Sequence, residues 1–197
     1  MKDPQLKELL LQALETELGG VEIYRTALEC VQNENLKAEW QKYLEQTTRH
    51  EEIMRGVCES LGVDVDESTP GRQVVHHIGK SLVKAMEMAR ASADPKGAEL
   101  VACECVVLAE TKDHSNWELL TQCAEHAKGD IAKVLQAAVE EVEDQEDEHI
   151  YHSKGYCREL WIESLGMDAV LPPPEEEKHV KTAIGAARAQ QSRDDMI

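Results

Sequence analysis

The chain has 197 residues and a formal charge of −18, which excludes a phosphate-binding, nucleic-acid-reading surface, because such surfaces cluster Lys and Arg. Apolar residues make up 42% but aromatics only 4%, with no Phe, so Leu, Val and Ala must fill any core; that suits packed helices better than a β-sandwich. Six scattered cysteines (Cys30, Cys58, Cys103, Cys105, Cys123, Cys157) without a CxxC pair, no signal-like leader and no long apolar run lead us to expect a cytoplasmic, membrane-free protein with reduced thiols.

Three helix starts share one grammar. Asp3-Pro4, Thr69-Pro70 and Asp94-Pro95 each place a side-chain acceptor at the cap and a proline at the first helical position. Breaks fall at "QNEN" (32–35), "LGVDVDES" (61–68) and "AKGD" (127–130), where Gly129 can end one helix and Asp130 cap the next. Helices are therefore expected near 4–31, 35–61, 70–92, 95–127 and 130–164, and no strand is expected. The short turns at 32–35 and 127–130 imply two antiparallel hairpins, with the 70–92 helix as a crossover. The expected fold is all-α: a four-helix bundle over 1–170 and a Pro-initiated C-terminal tail over 171–197 that can form a short helix.

Apolar positions spaced by threes and fours mark the inward face of each helix. In the first helix the line runs Leu10, Ala13, Glu17, Val21, Tyr24, Leu28, Val31, with Glu15, Glu22 and Glu29 on the wet side. In the second it runs Leu36, Trp40, Tyr43, Thr47, His50, Met54, Val57, Leu61. The helix after Pro95 gives Leu100, Cys103, Val107, Glu110, His114, Trp117, Leu120, and the last gives Leu135, Val139, Val142, Glu146, His149, Ser153, Tyr156, Leu160. Glu143 lies at the edge of that last line. Each long helix thus carries an acid or a histidine on an apolar stripe. The midpoint between Glu17 and His50 falls in "QNEN", and that between Glu110 and Glu146 falls in "AKGD", so each pair is level across its hairpin. An unpaired buried carboxylate costs several kcal/mol, so polar interruptions at matching heights call for a common partner. Carboxylates and imidazoles from four helices around a bundle centre make a di-iron or di-manganese site. Buried Glu–His ion pairs would satisfy the same charges without metal.

The second hairpin, with Glu110 and then Glu146-x-x-His149, resembles the ferritin-like superfamily. In the first hairpin, Leu36-Lys37-Ala38 through Leu44-Glu45 and Thr47 to His50 is similar to the second helix of the YciF-like, stress-associated branch of that superfamily. The Glu-His-Tyr-Glu signature of that branch is only echoed, as Glu110-Thr111-Lys112-Asp113. The likeness covers roughly residues 5–165. It implies a centre of two iron or manganese ions held by Glu17, His50, Glu110, Glu146 and His149, with an oxidoreductase role on peroxide or dioxygen and assembly into a homodimer or higher homo-oligomer. It departs at Thr47, where the pattern wants a carboxylate, and Glu143 or His114 is the expected compensation. A metal-free stress scaffold with buried Glu–His pairs is the rival expectation.

Overall fold

The computed structural model describes residues 3–92 and 94–170. It contains α1 (Asp3–Leu28), α2 (Glu34–Ser60), α3 (Pro70–Ala91), α4 (Pro95–His126) and α5 (Asp130–Ser164), and no strand among the described residues. The expected spans hold closely, except that α1 ends at Leu28 rather than near 31. The 171–197 tail lies outside the described residues.

The caps follow the sequence grammar in part. Thr69 accepts from the Arg72 N–H and Pro70 opens α3. Asp94 stands at the cap of α4 before Pro95, but its side chain makes no capping hydrogen bond. At α5, Gly129 itself is the cap residue, at φ 66°, a conformation cheap only without a Cβ, and Asp130 is already helical. An unforeseen cap appears at the α1–α2 turn. Asn33 Oδ1 accepts from the N–H groups of Asn35 and Leu36, while the Glu99 carboxylate of α4 accepts from Gln32 N at 2.8 Å and Asn33 N at 2.7 Å. This ties the start of α4 to the turn between the first two helices.

The four long helices close a ring, α1 against α2, α2 against α5, α5 against α4 and α4 against α1, while α3 packs outside on α1 and α4. The stripes on α2 and α5 face inward as expected, with Trp40, Tyr43, Thr47, His50, Met54, Val142, Glu146 and His149 all buried. On α4 the inward line is shifted: Val106 and Asp113 are buried, whereas Val107 and His114 are half-exposed. On α1, Glu15 is not on the wet side. It is buried under α3, where Arg72 Nε and His76 Nδ1 each lie 2.8 Å from its carboxylate. Burial opposes its charge, yet Arg72 and His76 hold its carboxyl below the usual range.

The apolar core comes in two blocks. One gathers Tyr24, Leu36, Trp40, Tyr43, Ala102, Cys103 and Val106 toward the α1–α2 turn. The other gathers Leu10, Leu14, Met54, Val57, Trp117, Leu120, Leu135 and Val142 toward the opposite end. Each fully buried Leu, Met or Val contributes about 1.5–3 kcal/mol, so both blocks are substantial. Between them lies a polar layer. The cysteines are all free, with Cys30, Cys58, Cys103 and Cys105 buried in the core and Cys123 and Cys157 half-buried. No described helix is long and apolar enough to cross a membrane.

Candidate metal centre

The layer between the two apolar blocks is made of Glu17 from α1, His50 from α2, Glu110 and Asp113 from α4, and Glu146 and His149 from α5, all buried. Of the residues expected from the sequence, Glu17, His50, Glu110, Glu146 and His149 meet there. Glu143 does not. It is exposed, because Val142 takes the inward position on that turn of α5. His114 does not compensate for Thr47 either: its Nε2 lies 2.8 Å from Asp147 Oδ1, on the outer side of the α4–α5 pair. The extra acid is Asp113, which the sequence line missed by one residue.

Geometry centres on Glu146. Its Oε1 lies 3.0 Å from His50 Nδ1 and 3.4 Å from His149 Nδ1. His149 Nδ1 is also 3.6 Å from Glu110 Oε2, and His50 Nδ1 is 3.9 Å from Glu17 Oε2. The two imidazole rings stack at 5.6 Å with a 25° tilt, so both present Nδ1 to the same carboxylate. Tyr43, at 4.3 Å between ring centroids, and Tyr24, edge-on at 6.2 Å, wall off His149 on the apolar side. On the other side Trp117 stands edge-on to His50, and its Nε1 donates to Glu17 Oε1 at 2.8 Å.

These close approaches are not aligned as hydrogen bonds. His50 Nδ1, His149 Nδ1, both Glu146 oxygens, Glu17 Oε2, Glu110 Oε2 and Asp113 Oδ1 are buried without a hydrogen bond. Buried polar atoms are nearly always satisfied, so a cluster of unsatisfied ones aimed at a shared space signals a missing partner. The far side of each ring is anchored instead. His50 Nε2 lies 3.0 Å from Gln145 Oε1, and His149 Nε2 lies 3.0 Å from Gln46 Oε1. Gln145 donates its Nε2 to the Glu141 carbonyl, which fixes its oxygen toward His50. His50 therefore carries a proton on Nε2, and its Nδ1 faces the centre. An outward anchor that sets the tautomer is what a ligating histidine needs. Ligands about 2.1 Å from one ion lie about 3.0–3.4 Å apart, which is the spacing found around Glu146.

The electrostatics agree. Burial and the neighbouring Glu146 raise the Glu17 carboxyl well above its ordinary range. Burial and then Glu17 do the same to Asp113. For Glu146 burial is again the largest influence and raises it, but the imidazoles of His149 and His50 together pull it down to about 2. Burial opposes charge on His149, yet Glu110 and Glu146 draw it up to about 10. Four acids facing two imidazoles in a dry layer cannot all ionise without an added cation, and two divalent ions would let Glu17 and Asp113 release their protons.

The sequence contained a signal for the anchors. Gln46 precedes His50 by four residues, and Gln145 precedes His149 by four. A second, shallower group of Glu39, Glu148 and His152 is already engaged. Tyr43 Oη donates to Glu39 at 2.6 Å and meets His152 Nδ1 at 3.0 Å, and Lys42 pairs with Glu148. The chain matches no protein-family model, no curated protein and no solved structure.

Proposed function

We propose that this bundle is a ferritin-like protein with a dinuclear iron or manganese centre held by Glu17, His50, Glu110, Asp113, Glu146 and His149, acting as an oxidoreductase on peroxide or dioxygen in a stress response. One observation carries the reading: the buried donor atoms that make no hydrogen bond converge on one space, with both histidines anchored from behind. A bound ion pair would supply open coordination positions at which peroxide or dioxygen can react. The chain's own residues do the rest. Gln46 and Gln145 orient the rings, the two apolar blocks keep water out, and His149 gives up its proton when a cation arrives, which makes loading favoured by rising pH.

A metal-free scaffold is the second reading, and the two imidazoles flanking Glu146 favour it, since they form an ion-paired triad on their own. It accounts for Glu146 and Glu110, which face the imidazoles, but gives Glu17 and Asp113 no cation and leaves them to be neutralised by protons. Self-association through the exposed Val74 and Ile78 of α3 and Leu108 of α4 belongs to the same proposal. The deciding experiment is metal analysis of protein purified without chelator or affinity nickel, then reconstituted anaerobically. About two equivalents of iron or manganese per chain are expected for a carboxylate-bridged pair. No uptake after reconstitution would leave the scaffold reading standing.

A further inference from the structure

The donors in the polar layer fall into two chemically unlike sets. His50, His149 and Glu146 bring one ligand atom each within 4.8 Å of one another, and Glu17, Asp113 and Glu146 do the same. Glu146 belongs to both. The first set has two nitrogens and one oxygen, with Glu110 Oε2 beside it at 3.6 Å from His149. The second has oxygens only. Two features of the sequence produce this asymmetry. Thr47, three residues before His50, offers no carboxylate where Glu146 stands three before His149, and Asp113 adds an acid to the side that Glu17 occupies. The stacked rings reinforce it, because imidazoles tied back to Gln46 and Gln145 bring both Nδ1 atoms to the same oxygen of Glu146, Oε1, at 3.0 and 3.4 Å, while Glu17 Oε2 lies farther from His50, at 3.9 Å. On the other side the anchoring groups are different. Trp117 Nε1 holds Glu17 Oε1, and Asn116 Nδ2, next along α4, holds Thr16 Oγ1 at 2.9 Å.

We infer, resting on the dinuclear reading above, that the two ion positions are unlike and select different metals. The position formed by His50, His149, Glu146 and Glu110 takes a borderline ion such as iron(II), cobalt(II) or zinc(II). The position formed by Glu17, Asp113 and Glu146 takes a harder ion such as manganese(II) or magnesium. Ligand type drives this: imidazole suits iron, zinc and copper, whereas all-carboxylate sites suit magnesium, calcium and manganese. Geometric selectivity matters because raw affinity follows the same metal order at any site, so only a difference in donor set can sort two ions within one protein. Glu146 is the single shared carboxylate and couples the two positions.

The test uses the full chain, stripped with chelator and loaded anaerobically with manganese(II) and zinc(II) together. One of each is expected to bind per chain. X-ray absorption at the zinc edge should count two histidine nitrogens. Electron spin-echo modulation of the manganese signal should lack directly bound imidazole nitrogen. Asp113→Asn, which keeps the side-chain volume, should weaken manganese by about 10–100-fold, the usual effect of losing a group that holds a metal site together, and leave zinc bound with its two histidines. One histidine on each ion, or random mixing of the two metals, would overturn the inference while leaving a dinuclear centre intact. Failure of the wild-type chain to bind either metal would overturn both. If Asp113→Asn does not fold, the wild-type zinc and manganese spectra alone decide between these outcomes.

Discussion

Replacing Glu17 by glutamine separates a metal ligand from a structural acceptor. The substitution keeps the shape, and Oε1 still accepts from Trp117 Nε1, at 2.8 Å in the wild type. What changes is Oε2, which makes no hydrogen bond and lies 3.9 Å from His50 Nδ1. In the metal-free protein the carboxylate is fully buried, near Glu146 and Glu110, and its carboxyl is raised by that burial first and by Glu146 next. Glutamine removes a carboxyl that burial forces to take up a proton at neutral pH, which should stabilise the metal-free fold by about 1–3 kcal/mol. In a domain of this size 1 kcal/mol moves the melting temperature by about 2–4 °C, so the variant should melt about 2–12 °C higher in chelator. With metal that advantage shrinks. A site filled to a hundred times its dissociation constant adds about 2.7 kcal/mol, and Glu17→Gln forfeits much of that at the oxygen-only position. The assay is thermal melting by circular dichroism, in chelator and in anaerobic manganese(II) or iron(II). A variant that melts lower in chelator and gains as much from metal as the wild type would refute the reasoning, making Glu17 only a partner of Trp117.

Thr47→Glu should destabilise the metal-free protein by about 2–4 kcal/mol, because a fifth buried carboxylate joins four. Metal should recover only part of the loss, since Asp113 already fills the missing role and a Cβ on Gly20 would lie 3.0 Å from the Thr47 methyl, a measure of how little room the position has; melting with and without metal checks this. Gln145→Leu removes the anchor behind His50 and should weaken metal binding by about 10–100-fold with the helices intact, as followed by metal titration and far-ultraviolet dichroism. Glu39 is held below the ordinary carboxyl range chiefly by His152, so its contribution is present above pH 4.5 and lost as pH falls through the depressed value. Glu39→Gln should accordingly cost about 0.5–1 kcal/mol in urea unfolding at pH 7, and the difference from wild type should shrink steadily as the medium is made more acid than pH 4.5.

How far the sequence could be read depended on the helix. On α2 and α5 large apolar residues recur without ambiguity, from Leu36 and Trp40 to Met54 and from Leu135 to Tyr156, so the inward placing of His50, Glu146 and His149 followed from spacing. On α4 small residues blur the face. Ala98, Ala102, Cys105 and Ala109 are buried but look neutral, and a line drawn through Val107 arrives at His114 instead of Asp113. Glu15 was misplaced for another reason. Periodicity within α1 cannot see that α3, more than fifty residues away, brings Arg72 and His76 over that face. The paired Gln46 and Gln145 were visible as a repeated spacing, but nothing local says that each anchors the histidine of the opposite helix rather than its own.

The arrangement of the core bears on which occupant the polar layer suits. Tyr43 and Tyr24 close it on one side and Trp117 and Val142 on the other, so water enters poorly and each unsatisfied oxygen keeps its full desolvation cost. Protons can relieve some of this, and raised carboxyls at Glu17 and Asp113 are how the metal-free protein does so. Protonation of Glu17 and Asp113, however, leaves the histidine Nδ1 atoms and the Glu146 oxygens close together without an aligned hydrogen bond. An ion placed between them satisfies several of these atoms at once, which no single proton can do. The same geometry explains why the anchors lie outside: Gln46 and Gln145 spend the outer nitrogen of each ring, and so commit the inner one to whatever the centre holds.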